Sequence, residues 1–134
     1  PFSFLLDARI GVLRGVVAKE NGNAERHFLS GLELFAAGEQ QRAIAEYQLA
    51  LASDPCFTDA MHGLVRIYQD LDHLEEAVAV ALRISETDPE DVLAHTTLSI
   101  LYQKKGMVPE AEAEANKARI LGWKHQLRAQ KNAK

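Results

Sequence analysis

Apolar residues recur at three- and four-residue intervals over most of this chain, which is the spacing of one helix face. From residue 24 to residue 121 the pattern predicts six helices in three pairs. Their predicted bounds are 24–37 and 40–53, 59–71 and 74–86, and 92–105 and 108–121. Gly38 is expected to end the first helix, because glycine readily adopts the left-handed backbone that closes a helix. The chain is therefore predicted to be all-α.

The three helix pairs repeat with a period of 34 residues. Alanines, tyrosines, turn residues and Asp-Pro steps all share this period. They are Ala43, Ala77 and Ala111; Tyr68 and Tyr102; Gly38, Asp72 and Gly106; and the steps at 54–55 and 88–89. Because a pair of this size cannot bury its own apolar face, three pairs are expected to stack, with helical caps at the ends.

A 34-residue helix–turn–helix unit with this pattern resembles the tetratricopeptide repeat (TPR). The matching residues are Gly31, Ala43, Tyr47, Ala50 and Pro55 in the first repeat, Leu64, Tyr68, Ala77 and Pro89 in the second, and Leu98, Tyr102, Ala111 and Ala118 in the third. His27, Met61 and His95 depart from the usual first aromatic, and Trp123 from the closing proline. The resemblance implies a right-handed α-solenoid of TPR repeats with N- and C-terminal capping helices.

The resemblance also divides the chain into segments. The repeats are expected at 24–57, 58–91 and 92–121. Residues 1–23 are expected to hold an N-terminal capping helix, or a degenerate half-repeat, and a loop, since a stack must be covered at its end. Their apolar stripe consists of Phe2, Leu6, Ile10, Leu13 and Val17. The alternative is a detachable amphipathic arm that docks on a partner or a membrane.

Residues 122–134 are predicted to form a basic C-terminal capping helix and tail. Gly122 is expected to interrupt the last repeat helix, and Trp123 and Leu127 are expected to pack on the third repeat. Residues 115–134 hold six bases and no acid, whereas residues 1–114 hold 19 acids and 9 bases. This basic end is interpreted as a solvated outer face or as a hook for an acidic partner or an anionic surface.

In TPR stacks the first helix of each repeat lines the concave face, where the family binds peptides or helices. The resemblance therefore implies a groove lined by Glu25, Phe28, Leu32, Phe35, Asp59, His62, Arg66, Gln69, Asp70, Leu93, Thr96, Ile100, Gln103 and Lys104. The stripe of Phe28, Leu32 and Phe35 predicts either an apolar pocket or a surface that residues 1–20 cover. Phe28 and Leu32 also stand where some members carry the first polar pair of a carboxylate clamp, which argues against a receptor for chaperone tails.

Composition and charge narrow the function further. With 47% hydrophobic and 25% charged residues, the chain has the composition of a soluble globular protein. Its net charge of −4 argues against a protein whose main function is to bind nucleic acid. Cys56 is the single cysteine, so an internal disulfide is excluded. The five histidines lack metal-site spacing, and His27 and His95, at equivalent repeat positions, are expected to serve helix packing.

The sequence thus predicts a non-catalytic protein–protein interaction module that binds a peptide or helix of a partner in the TPR groove. No cofactor, metal, nucleic acid or membrane span is expected, and the expected location is the cytoplasm. Two alternatives remain open. The chain is a docking or regulatory domain of a larger protein or enzyme, or it is a self-assembling scaffold in which the basic end meets the acidic body of another copy.

Overall fold

The computed structural model describes residues 22–133, and these are almost entirely helical. The helices are α1 (22–36), α2 (Gln40–Ser53), α3 (Thr58–Asp70), α4 (Leu74–Thr87), α5 (Val92–Lys104) and α6 (Val108–Asn132). Within these residues there is no strand. The all-α prediction is confirmed, and α1 to α5 begin and end within two residues of their predicted bounds.

The turn inside each helix pair has the same left-handed geometry. Gly38 and Gly106 have φ angles of 82° and 78°, and Asp72 has a φ of 60°. In the first turn the amide of Gly38 donates to the carbonyl of Phe35 at 3.0 Å, and the next amide donates to Leu34 at 2.9 Å. The same two bonds recur around Asp72 and Gly106. The three turn residues that share the repeat period therefore close their helices in one way.

The Asp-Pro steps also build two equivalent loops. Asp54 and Asp88 cap the C-terminal ends of α2 and α4 in an extended conformation. The side chain of Asp54 accepts a bond from the amide of Cys56, and that of Asp88 from the amide of Glu90, both at 3.1 Å. These bonds fix the turn of the chain within each loop.

The chain divides into two compact units, residues 1–60 and 61–134. The first unit contains α1, α2 and the start of α3. Its buried side chains are Ala24, Ala43, Tyr47, Ala50, Leu51 and Ala60. In the second unit α5 packs against both α4 and α6. The largest side chains of its core are Met61, Ile67, Ile84, Leu98 and Leu101.

The prediction of a break at Gly122 is wrong, because α6 continues through this residue to Asn132. A single glycine in a helix costs only about 1 kcal/mol, which is too little to end one that is held on both sides. Beyond Gly122, Arg128 makes two bonds to Glu90 in the α4–α5 loop, at 3.0 and 3.4 Å. Trp123 and Leu127, predicted to pack on the third repeat, are exposed instead.

The predicted cap over residues 1–20 lies outside the described residues. Across the described helices, none is both long and apolar enough to cross a membrane.

Candidate partner-binding site

Phe28, the first apolar residue of the predicted groove, belongs to an aromatic cluster in the first unit. Its ring centroid lies 5.3 Å from that of Phe57 and 5.9 Å from that of Tyr47, with tilted planes in both cases. Such tilted pairs are a favourable aromatic geometry. Tyr47 is almost completely buried, and burial raises the pKa of its hydroxyl. Phe28 is therefore an anchor between α1, α2 and the loop before α3.

Gly31 makes room for this cluster. A Cβ added at Gly31 would lie 2.6 Å from Cε1 of Tyr47, so no other residue fits without a shift of the ring. One period later, the equivalent positions hold Val65 and Ala81, and both are buried. In the first repeat the smaller residue lies on the first helix and the larger one on the second, whereas in the second repeat the larger residue lies on the first helix. The combined volume of the two side chains therefore stays similar.

The rest of the α1 stripe is more accessible. Leu32 is exposed, Phe35 is half-buried, and Glu25 at the start of the stripe is exposed. A cavity of about 420 Å³ lies elsewhere on α1 and α2, lined by Ser30, Glu33, Leu34, Arg42, Ala45 and Glu46. None of these lining residues belongs to the predicted groove, so its apolar pocket remains a prediction.

His62 in the second unit supports the start of α5. Its Nε2 donates to Oδ2 of Asp91 at 2.8 Å, and Oδ1 of Asp91 accepts the amide of Ala94 at 3.0 Å. Asp91 is the N-cap of α5, where a carboxylate satisfies an otherwise unpaired amide. The His62 side chain therefore already has a structural partner at the predicted groove position.

Two predicted groove residues of α3 form a local ion pair. Nε of Arg66 lies 3.4 Å from the carboxylate of Asp70, one helical turn further on, and both side chains are exposed. Gln69 beside them is half-buried. A pair of this kind contributes little to stability, so both groups can exchange partners at low cost.

The predicted groove residues of α5 form one exposed stripe. Thr96, Ile100, Gln103 and Lys104 are all exposed, at spacings that place them on one side of the helix. Ile100 is 45% exposed, although its neighbours Leu98 and Leu101 on other sides of the helix are fully buried. The Thr96 hydroxyl donates to the carbonyl of Val92 at 3.0 Å. This stripe offers an apolar side chain between polar ones.

Two equivalent histidine–glutamate pairs are absent from the sequence-based predictions. Nδ1 of His27 lies 2.7 Å from Oε2 of Glu46, and Nδ1 of His95 lies 2.6 Å from Oε2 of Glu114. The second pair is the more buried, with side chains 9% and 11% exposed against 37% and 27%. The packing role predicted for both histidines fits these contacts, but their acidic partners were missed.

A comparison of repeats would have found these partners. His and Glu recur together two periods apart, and both members are separated by the same 19 residues. In the second repeat the equivalent positions hold Met61 and Val80. The joint replacement of both members is the sequence signal for a contact.

The buried pair has further partners. Nε2 of His95 lies 3.1 Å from the carbonyl oxygen of Pro89, and Nζ of Lys117 lies 3.1 Å from Oε1 of Glu114. Beside them is a mainly apolar cavity of about 380 Å³, lined by Pro89, His95, Lys117, Ile120 and Leu121. No cluster of potential metal ligands occurs among residues 22–133.

Comparison with known proteins agrees with this architecture. A family model described as "Tetratricopeptide repeat" matches residues 34–101. The structure is similar to the crystal structure of MamA, with a TM-score of 0.76 and 25% identity over 78% of this chain and 61% of that one. No curated protein matches the sequence.

Two further similar structures are TPR structures described with a bound peptide or with a peptide-binding site. The second TPR of Spaghetti (RPAP3), bound to the HSP90 peptide SRMEEVD, has a TM-score of 0.71 and 19% identity over 77% of this chain and 95% of that one. YrrB, a TPR protein with an unusual peptide-binding site, has a TM-score of 0.69 and 22% identity over 81% of this chain and 57% of that one. The chain spans less than two thirds of MamA and of YrrB.

Proposed function

The chain belongs to the tetratricopeptide repeat family, and on that premise we propose that it is a non-catalytic module that binds a peptide or helix of another protein. The proposed contact residues lie on the first helices of the repeats, which are α1 in the first unit and α3 and α5 in the second. The peptide complex of the RPAP3 repeat and the peptide site named for YrrB support this mode of action.

The exposed α5 stripe is the observation that carries the proposal. Ile100 offers an apolar contact, while Thr96, Gln103 and Lys104 offer polar groups to a peptide backbone or to acidic side chains. A surface that combines an apolar anchor with a few polar groups suits peptide recognition. Arg66 and Asp70 on α3 add a charged pair whose partners can change on binding.

The residues of the proposed site have different roles. Leu32, Ile100 and Lys104 are expected to contact the partner, since they are exposed. Phe28 and His62 are expected to act mainly through position, because each already contacts residues of its own unit. Substitutions at the second group therefore change stability as well as binding.

The test compares captured partners between matched variants. Wild-type protein, the double variant Ile100→Asp with Lys104→Glu, and the control Leu82→Asp on α4 are each used to capture proteins from a native lysate, with quantification by mass spectrometry. A partner of the groove is lost with the α5 variant and retained with the control, whose leucine is also exposed. Direct titration of that purified partner must then reproduce the loss. Equal capture by both variants contradicts the proposal.

Self-assembly is a second candidate, and the charge distribution favours it. Residues 115–134 carry six bases and no acid, whereas residues 1–114 carry 19 acids and 9 bases. Association between copies through these charges would weaken steeply with added salt. Sedimentation velocity at 50 and 500 mM NaCl tests this, and a monomer at both concentrations excludes it.

A third proposal, a docking domain within a longer protein, accords with the short span relative to MamA.

A further inference from the structure

The C-terminal half of α6 carries an apolar stripe in contact with solvent. Ile120 is 53% exposed, Trp123 66% and Leu127 56%, and their spacing of three and four residues places them on one helix face. They cover about 10 Å of the helix axis. Single exposed apolar residues are common, but a contiguous group of this kind is typical of an interaction site.

The stripe leads into a recess. Ile120 is also part of the wall of the 380 Å³ cavity, together with Leu121, Pro89 and His95. The paired side chains of Glu90 and Arg128 tie the loop beside this cavity to α6. The recess is thus formed by two connected elements, and it can receive an apolar side chain next to the exposed stripe.

A row of lysines borders the stripe on one side. Lys117, Lys124 and Lys131 are seven residues apart, so they share one side of α6, and all three are exposed. Residues 115–134 contain no acid, and the two acids beside them, Glu90 and Glu114, are bonded to Arg128 and Lys117. The surface around the stripe is therefore positive, which favours contact with an acidic partner.

We propose that this C-terminal surface, made of Ile120, Trp123, Leu127, the recess and the three lysines, docks an acidic amphipathic helix of another protein. One apolar side chain of that helix enters the recess, others cover the stripe, and its carboxylates face the lysine row. This is the helix-in-groove mode of recognition. The site lies on the second helix of the last pair and is separate from the groove proposed above.

The shape of the surface favours a protein over a membrane. The three lysines lie on one side of the stripe, whereas the other side carries Gln126, Gln130 and a single base, Arg119. A helix that lies flat in an anionic membrane carries its bases around a broad apolar face. The recess also suits a protruding side chain rather than a flat lipid surface.

Trp123 makes a direct test possible, because it is the single tryptophan of the chain. A synthetic helical peptide with leucines at helical i, i+3, i+4, i+7 spacing and glutamates elsewhere is titrated against the full chain. The expected result is a blue shift of Trp123 emission that saturates at one peptide per chain and weakens with NaCl. The peptide with serine in place of leucine is expected to produce no shift.

Matched variants locate the site. Leu127→Ser, and Lys124→Glu with Lys131→Glu, are each expected to weaken the affinity by roughly tenfold or more, the equivalent of one lost anchor. Leu93→Ser and Lys104→Glu remove exposed groups of the same types from α5 and are expected to leave the affinity unchanged. Circular dichroism confirms that each variant is folded.

Four results would overturn the proposal. The first is the absence of a saturating shift with the acidic peptide, and the second is an equal shift with a peptide that has lysine in place of glutamate. The third is a shift only with anionic phospholipid vesicles, and the fourth is a shift that depends on protein concentration alone. The third would assign the surface to a membrane and the fourth to a second copy. Because Ile100 and Lys104 lie on α5 and not on this surface, the effect of the double variant Ile100→Asp with Lys104→Glu on captured partners is independent of these results.

Discussion

The first and second repeats use the same two positions for contacts of different chemistry. In the first, the Phe28 ring packs against Phe57 at 5.3 Å. One 34-residue period later, His62 bonds to Asp91 at 2.8 Å. Each contact joins the first helix of a pair to the loop before the next. The period therefore preserves the place of a contact, while the interaction itself changes from apolar burial to a charged hydrogen bond.

The inner packing differs between these repeats in the same manner. Gly31 against Tyr47 in the first repeat corresponds to Val65 and Ala81 in the second. The His95–Glu114 pair of the third repeat corresponds to Met61 and Val80. Between repeats, both members of a packed pair are thus replaced together. We expect the replacement of only one member to lower the free energy of unfolding.

The largest expected effect is at Gly31 and Tyr47. Tyr47→Ala is expected to cost about 3–5 kcal/mol of unfolding free energy, because it leaves a cavity in the first unit. Gly31→Val is expected to cost about 1–3 kcal/mol or more by overpacking against the ring. The double variant, which carries the side chains of the second repeat, should cost less than the sum. Urea unfolding of all four proteins measures the coupling, and strict additivity would contradict an exchange of volume.

The buried His95–Glu114 pair should show the next largest effect. Glu114→Val alone is expected to cost about 1–3 kcal/mol, since it leaves His95 and Lys117 without their carboxylate. Adding His95→Met, which completes the pair of the second repeat, should recover part of this loss. Thermal unfolding provides the measurement.

The more exposed His27–Glu46 pair is the matched control for that experiment. Glu46→Val is expected to cost less than about 1 kcal/mol, because the pair remains in contact with solvent. An equal cost at Glu46 and Glu114 would show that burial does not set the difference between the two pairs.

Substitutions at Asp91 separate its two contacts. Asp91→Ala removes the cap of α5 and the bond to His62, and is expected to cost about 1–2 kcal/mol. Asp91→Asn retains a capping oxygen and loses the charge opposite His62, so it should cost less. Hydrogen exchange of the first amides of α5 identifies the cap directly. Equal exchange rates in both variants would show that the cap oxygen is not what protects them.

The smallest effect on stability is expected at the exposed Glu90–Arg128 pair. The hydrogen bond and charge of Arg128 lower the pKa of Glu90, while Glu90 raises that of Arg128. Since the folded pKa of Glu90 lies below its unfolded value, this contribution is complete above the unfolded pKa and is lost as the pH falls through the folded one. An NMR titration should show the Glu90 pKa rising toward its ordinary value in Arg128→Gln. An unchanged pKa would exclude Arg128 as its cause.

Much of the fold was predictable because its signals are local. The left-handed turns at Gly38, Asp72 and Gly106 and the Asp-Pro steps act over a few residues, and the 34-residue period repeats them. The prediction of a break at Gly122 was wrong because the continuation of this helix does not depend on local signals alone. A small local cost at that residue was outweighed by helix on both sides and by the bond from Arg128 to Glu90.

The sequence by itself determined the helices, their pairing and the family, since each depends on periodic residues and short turns. Only the tertiary structure decided which exposed-looking residues are already engaged, because a side chain's partner is set by distant segments that fold against it. Phe28 is an anchor against Phe57 and Tyr47, and His62 holds the cap of α5. The same folding left Ile100 on α5 and Trp123 on α6 exposed for contact with other molecules.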